Sequence, residues 1–325
     1  MSDKIDQAAV VQALASGAAT GDAAPLGRID THMSHIFLGP DRVYKLLRDR
    51  KHPFADLSSV AARRRASEAA LAVNRALAPG LYEAVAPVTC DPAGATRVGG
   101  TGETIDWVVV LRRFADGALL DDLAKAGRLT PEMVTQAVDA VAAFHIAQPP
   151  CKDAGSAEDC REIIRGLRRT ASDGAARAGV EPVGEDLFSA LDREVTRHAP
   201  MIEARKAAGW TRRGHGDLHL RNICLFEGRV TPFDALEFDE DLATTDVLYD
   251  LAFLLMDLRA RGLDGLAELA ADRYWSRANQ PPRDRALLPL YMALRAAVRM
   301  AVAEEAGDFA EVARYHALGL AILRS

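Results

Sequence analysis

The chain has 325 residues, about twice the ~150 residues of an average domain, so one two-lobed unit or two small domains is expected and a long solenoid is excluded. Hydrophobic residues make up 49% and charged residues 26%, an ordinary globular composition that excludes intrinsic disorder. Forty bases against 46 acids leave a net charge of -6, so no chain-wide basic field favours nucleic acid or an anionic membrane, and neither is expected as a partner.

In the first 24 residues the apolar run Ala8 to Ala19 follows Asp3 and Asp6 and is interrupted by Gln12. That order suits an amphipathic helix better than a signal sequence. No uncharged apolar stretch approaches ~18 residues, so no membrane span is expected. Cys90, Cys151, Cys160 and Cys224 lie far apart without a CxxC pair, which points to reduced thiols in a cytoplasmic protein.

From Pro25 to Phe114 strand-like runs alternate with turns. Ile36 to Leu38 and Val43 to Leu47 flank Gly39-Pro40-Asp41-Arg42, where Gly, Pro and Asp suit a hairpin turn. Ser58 or Ser59 caps a helix that runs to Leu77 and stops at Pro79-Gly80. Val85 to Thr89 and Ile105 to Leu111 read as two more strands. After Phe114 the periodicity is helical, over Leu119 to Lys125, Pro131 to Ile146, Asp159 to Thr170, Glu185 to Lys206, and from Leu242 onward with a break at Pro281-Pro282. Ala171 to Val183 is expected to be weakly structured. One short hairpin, Ile223 to Phe226 with Val230 to Phe233, interrupts the helices. The expected fold is therefore α+β, a small antiparallel-sheet lobe over residues 1–113 and a larger helical lobe over 114–325.

Chemistry concentrates in His215-Gly216-Asp217-Leu218-His219-Leu220-Arg221-Asn222 and, after the hairpin, Phe233-Asp234. Phosphoryl transfer needs a partner for the acceptor hydroxyl and metal ligands near the terminal phosphate. An Asp, an Asn five residues later and a second Asp after a hairpin can supply them. Upstream, Lys45 stands between apolar strand neighbours and Glu68 follows 23 residues later on a helix, the order of a phosphate-binding lysine and its acidic partner. Only six of the 40 basic residues are lysine, which adds weight to Lys45, whereas Arg64 and Arg65 offer Glu68 a local alternative.

These elements make the sequence similar to the aminoglycoside phosphotransferase and choline kinase branch of the protein-kinase-like fold, over about Gly27 to Leu258. The resemblance implies that Asp217 orients and deprotonates a substrate hydroxyl, that His215 positions the loop, and that Asn222 and Asp234 hold Mg2+ against ATP. It implies a bracing role for Asp250, in Tyr249-Asp250-Leu251-Ala252. Lys45 and Glu68 form its expected phosphate-positioning pair, and Leu111-Arg112-Arg113-Phe114 the expected hinge where adenine meets backbone, with Leu111 and Arg113 in the nucleotide site. No GxGxxG precedes Lys45. Thr31-His32-Met33-Ser34-His35 takes its place, with Ser34 as a candidate phosphate contact. Asp30-Thr31-His32-Met33-Ser34 and HGDLHLRN resemble a bacterial subgroup often fused to a downstream P-loop ATPase domain. The sequence has no GxxxxGK[ST], so that second activity is not expected.

The expected function is ATP-dependent phosphorylation of a small-molecule hydroxyl acceptor. A protein kinase is the runner-up, disfavoured by Gly216 in place of the HRD arginine and by the lack of an APE. A nucleotide-binding regulatory module without turnover is the third reading, and a metallophosphatase lacks its remaining ligand motifs. Between Val230 and Leu258 stand Asp234, Glu237, Asp239, Glu240, Asp241, Asp246, Asp250 and Asp257 without one lysine or arginine. Read as a rim, this run would attract an amine-bearing acceptor.

Overall fold

The computed structural model describes residues 7–52, 55–178, 182–237 and 240–324. They divide into two compact units, one of the chain up to Ala118 with Cys224–Glu240, the other of Leu119–Ile223 with the chain from Asp241 on. This differs from the expected division at 113/114 in two respects: the first boundary falls after Ala118, and the hairpin after the HGDLHLRN loop belongs with the sheet. Leu225 N–H donates to the Ala118 carbonyl at 2.8 Å, and the Phe233 ring meets Phe114 edge-on at 5.4 Å.

The first unit runs α1 (Gln7–Ala15), β1 (Gly27–Asp30), β2 (Ser34–Leu38), β3 (Arg42–Leu47), the short ribbon β4 (Lys51–His52) and β5 (Ala55–Asp56), α2 (Val60–Leu77), β6 (Tyr82–Cys90), β7 (Thr96–Val98) and β8 (Glu103–Arg112). Among the described residues, six of these strands form one antiparallel sheet in the order β1-β2-β3-β8-β6-β7. Strand alternation puts Tyr44 and Leu46 of β3 on the face that packs with Val10 and Leu14 of α1 and Phe37, Val108 and Val110 of the sheet. Val43 and Lys45 thereby point to the opposite face. Ser59 caps α2 by accepting from Ala62 N–H at 3.2 Å, and the positive φ of Gly80 turns the chain after it. A buried two-pronged bond from Arg63 to Asp106, 2.8 and 3.0 Å, fastens α2 to β8, and Gln7 donates to the same carboxylate from α1.

The second unit follows with α3 (Leu120–Lys125), α4 (Pro131–Ala147), α5 (Ala157–Ala178), α6 (Glu185–Ala207) and β9 (Thr211–Arg213). After the 3-10 turn Leu220–Asn222, β10 (Ile223–Phe226) and β11 (Arg229–Pro232) form the hairpin of the first unit. The chain returns through α7 (Glu240–Ala243), β12 (Thr244–Asp246), α8 (Val247–Ala260), α9 (Asp264–Ala278), α10 (Leu288–Glu305) and α11 (Phe309–Ile322). Helix α5 continues to Ala178, through most of the segment expected to be weakly structured, because Ala171 and Ala175 extend its buried stripe. Asp246 caps α8 through Leu248 N–H at 2.8 Å and takes a bidentate bond from buried Arg205 at 2.6 and 2.8 Å.

Helix α8 is buried from Val247 to Leu258, which explains why it is apolar on every side. The stretch Pro282–Glu305, though Arg295 and Arg299 interrupt it, is long and apolar enough to cross a membrane by length and composition, but its apolar window is 72% buried inside the unit. It packs here as a core helix.

All four cysteines are free thiols. Burial pushes Cys160 and Cys224 up to about 12, whereas Cys90 and Cys151 are partly exposed. Only a thiolate alkylates readily. Iodoacetamide at pH 8 should therefore label Cys90 and Cys151 in the native protein and reach the other two only after denaturation, as mass spectrometry of the peptides would show. Native labelling of Cys160 or Cys224 at the same rate would contradict the packing described here.

Candidate functional site

In the first unit the chemistry gathers on Lys45. Its Nζ lies 2.6 Å from Asp234 Oδ1 and 3.4 Å from Glu237 Oε1. Burial disfavours the ammonium, but the two carboxylates outweigh burial and hold its pKa above the ordinary lysine value. Burial raises Glu237 in turn, against the attraction of Lys45. Asp234 has a positive φ of 60°, unusual for a residue with a Cβ. Neighbours impose it: the Asp234 N–H donates to Tyr82 Oη at 3.1 Å, the Ala235 N–H donates to Asn74 Oδ1 at 2.9 Å, and Asn74 Nδ2 returns a bond to the Ala235 carbonyl at 3.4 Å.

Two expectations for this unit are corrected and a third is narrowed. Glu68 is not the partner of Lys45; it lies on the exposed face of α2, 2.8 Å from Arg64 at i-4, and Glu237 supplies the acid instead. Ser34 is buried at the start of β2 and its amide already donates to Thr31 Oγ1 at 2.9 Å, which leaves its hydroxyl, buried without a hydrogen-bond partner among the described residues, as the group it could offer. Leu111 is buried in β8 between Val43 and Tyr82, and the amides of Arg112 and Arg113 are engaged by the Leu81 and Asp41 carbonyls. The Arg113 guanidinium serves the local turn, donating to the Gly39 carbonyl at 2.7 Å and pairing with Asp116.

In the second unit the HGDLHLRN loop is built around Asp250. That buried carboxylate accepts the His215 N–H at 2.9 Å, the Gly216 N–H at 2.8 Å and His145 Nε2 at 2.9 Å. Burial raises its pKa, and the hydrogen bond and charge of His145, with His215 and Arg295, overcome that and leave it well below the usual range. Gly214 permits the approach, since a Cβ there would stand 2.7 Å from Asp250 Cγ. Arg295 of α10 lies 3.9 Å from Asp250, donates to the Gly216 carbonyl at 3.2 Å and stacks on Tyr249 and Phe253. Asp257 anchors the far end of the loop through Leu220 N–H at 2.9 Å.

So held, the loop presents Asp217 with its side chain 41% exposed. Asn222 Nδ2 donates to Asp217 Oδ2 at 2.9 Å and to its carbonyl at 3.0 Å, and His219 Nε2 stands 3.3 Å from the same carboxylate oxygen. His215 receives the Asp217 N–H on Nδ1 at 3.4 Å. Crowding raises the Asp217 pKa, but His219, then His215 and Arg295, bring it far below the ordinary carboxylate value. A carboxylate that is ionised, exposed and rigidly aimed can accept a hydroxyl proton. With the amide nitrogen of Asn222 engaged, its carbonyl oxygen is the atom left for a hard cation.

Four described members of the acidic run after the loop are taken up inside the protein. Glu237 pairs with Lys45, Asp246 with Arg205, Asp250 with His145 and the loop amides, and Asp257 with Arg261 and Leu220. All four are buried. Asp239 and the side chains of Glu240 and Asp241 lie outside the described residues. The expected cation-attracting field, which rested on Glu237, Asp239, Glu240 and Asp241, thus loses Glu237 to Lys45, and its other three side chains lie outside the described residues. Glu237, Asn74, Tyr82, His145 and Arg295 were not singled out as site residues from sequence, and of these only Glu237 stood near enough to a motif to be found.

Because Asp250 carries the loop, Asp250→Asn should destabilise the protein by about 3 kcal/mol, the scale of breaking a buried ionic network, read from the urea midpoint at pH 7. Gly214→Ala should act in the same direction. The sign with pH follows from the depressed pKa: the contribution of Asp250 is complete above the unfolded value of about 3.9 and lost as pH falls through the lower folded value. The gap between wild type and variant should therefore narrow only below about pH 4. Equal midpoints at pH 7 would refute the central place given to this carboxylate.

Comparison with known proteins bears on the whole arrangement. An uncharacterized protein of Mycobacterium tuberculosis is 28% identical over 276 residues, 84% of this chain and 53% of its own length, as is one of Mycobacterium bovis. The chain thus spans about half the length of the curated relatives it matches. Solved structures that share the fold include aminoglycoside phosphotransferase APH(4)-Ia, at 16% identity and TM-score 0.56 with 98% of this chain and 99% of the other covered. Choline kinase from Cryptosporidium parvum shares it at 12% identity and TM-score 0.59, with 98% of this chain and 95% of the other covered. The fold is the kinase-like one, an antiparallel sheet unit and a helical unit. The model of the phosphotransferase enzyme family matches residues 42–287, and the chain belongs to that family.

Proposed function

We propose that this chain is a cytoplasmic, ATP-dependent phosphotransferase that moves the terminal phosphoryl group of ATP to a hydroxyl of a small molecule. The observation that carries the reading is Asp217, an ionised carboxylate held by Asn222 and His219 on a loop that Asp250 fixes at two backbone amides. The transition state for phosphoryl transfer is loose, so what the protein contributes is positioning and charge stabilisation. Asp217 accepts the hydrogen bond of the acceptor hydroxyl, orients its oxygen and takes its proton. Lys45 provides a permanent cation for the phosphates. Glu237 and Asp234 keep it protonated and in place.

Asn222 and Asp234 supply oxygen donors of the kind that suit Mg2+, which takes one or two protein ligands beside water and phosphate. Asp234 fits this use because its carboxylate is partly exposed and only its Oδ1 is engaged by Lys45. The cation would neutralise phosphate charge. Replacing Asp234 with Asn should therefore reduce the gain in ATP affinity that magnesium confers, measured by calorimetry, and an equal gain in both proteins would count against the ligand assignment.

Asp217→Asn keeps the shape and removes the base. ATP binding should survive while acceptor-dependent ADP release falls about 100-fold or more. Undiminished transfer would remove Asp217 from the mechanism. Since its pKa lies below the ordinary carboxylate range, Asp217 stays ionised from pH 8 to 5, and any loss of rate over that interval should persist in form when the acceptor, not Asp217, is changed.

The pairing of Lys45 with Glu237 has its own test. Lys45→Ala and Glu237→Gln should each raise the KM for ATP and lower kcat, and the double variant should lose less than the product of the two effects, because the glutamate works through the lysine. Glu68→Ala, by contrast, should leave both constants near wild type. A large effect at Glu68 with none at Glu237 would restore the helix residue as the partner.

A further inference from the structure

A cavity of about 570 Å³ opens in the second unit, within the size range of small-molecule sites. Its walls carry Lys125, His219, Arg221, Arg261, Arg299 and Arg314. Three carboxylates share the lining, and each has a partner, two of them among the lining cations. Asp257 accepts Leu220 N–H and pairs with Arg261 at 3.2 Å, Glu311 pairs with Arg314 at 2.7 Å, and Asp308 caps α11 through Glu311 N–H at 3.1 Å.

Arg299 differs from the other cations. Among the described residues it has no ion pair and no hydrogen bond, only a stacking contact with the buried Tyr315 at 5.6 Å, and Arg314 lies over the same ring at 4.7 Å. Glu311 already offsets Arg314, which leaves Arg299 as the cation on that ring without an anion among the described residues. Its planar fork suits a carboxylate or a phosphate. The cavity also adjoins the chemistry. His219 lines it, and that imidazole stands 3.3 Å from Asp217 Oδ2 while its Nδ1 is buried without a hydrogen-bond partner among the described residues.

We infer that the acceptor is a hydroxyl compound bearing an anionic group, carboxylate or phosphate, which seats against Arg299 in this cavity while its hydroxyl meets Asp217. The inference rests on the phosphotransferase reading above and reverses the sign of the acceptor that the acidic run suggested. In the transfer, the bond from the terminal phosphorus to the bridging oxygen of ATP breaks and a bond to the acceptor oxygen forms. The hydroxyl proton passes to Asp217 and ADP leaves. An amine in the cavity would face guanidiniums and be disfavoured.

The test is ADP release with ATP and magnesium on four compounds that share a scaffold and differ in charge: glucose, glucosamine, gluconate and glucose 6-phosphate. Gluconate or glucose 6-phosphate should be preferred over both others by about tenfold or more in kcat/KM, and the better of the two identifies the anion. That kcat/KM should fall as salt rises. Arg299→Gln should raise the KM for the anionic acceptor about tenfold with a smaller change in kcat, whereas Arg283→Gln, which removes an exposed charge that does not line the cavity, should not. If none of the four is turned over, calorimetry with gluconate and inorganic phosphate reads the site directly, and wild type must bind at least one of them more tightly than Arg299→Gln does. Preference for glucosamine or glucose, an unchanged KM in Arg299→Gln, or no binding of either anion overturns the inference. Asp217-dependent transfer to a neutral or cationic compound would overturn it while leaving the phosphotransferase reading intact, and loss of nucleotide binding altogether would remove that reading instead.

Discussion

A carboxylate removed from water must find compensation or lose its charge, and Asp250 is the place where the second unit meets that demand. Its donors come from different parts of the chain: His145 on α4, the amides of His215 and Gly216, and Arg295 on α10 close by. His145 is itself held by Tyr274 of α9 through a 2.7 Å bond at Nδ1. Helices α4, α8, α9 and α10 thus converge on one buried charge, and the loop that carries Asp217 takes its geometry from that convergence. The same side chain keeps its charge chiefly because His145 bonds to it, with His215 and Arg295 close by. Loop and hub are one electrostatic object.

The first unit solves a similar problem by a different arrangement. A lysine on the inner face of a strand needs an acid, and helix α2 could have provided one from Glu68. It provides Asn74 instead, which grips the backbone at Ala235 from both its amide oxygen and nitrogen. The acid arrives from Glu237, three residues beyond Asp234. Lys45, Asp234 and Glu237 therefore move as a set, and a shift of the segment after β11 changes the lysine and the aspartate together.

What could be read from sequence follows what sequence encodes locally. Apolar alternation with Pro and Gly punctuation located β2, β3, β6 and β8, and the spacing of Asp217, Asn222 and Asp234 carried the chemistry of the loop. Pairing is not local. Nothing in the spacing of Glu68 distinguishes a partner for Lys45 from a partner for Arg64, and the i-4 neighbour won. Asp246 and Asp250 show the same limit: a count of charges is blind to Arg205 and His145, which come from distant segments to neutralise them. The hairpin after the loop joined the sheet unit through contacts to Phe114 and Ala118 that no periodicity reveals.

The left-handed backbone at Asp234 narrows what evolution can place there. A metal-binding position would ordinarily accept Glu as readily as Asp, since both are carboxylates. At this φ a branched or bulky residue is strained, whereas Asn and Gly are at ease. On the cation-binding role proposed above, the position is filtered twice, once by chemistry for an oxygen ligand and once by sterics for a short side chain that tolerates the turn, and Asp is the acidic residue that passes both. Drift at 234 is thus channelled toward Asn and Gly, folded chains that have lost the carboxylate, so this site is one where catalysis can be lost while the architecture persists.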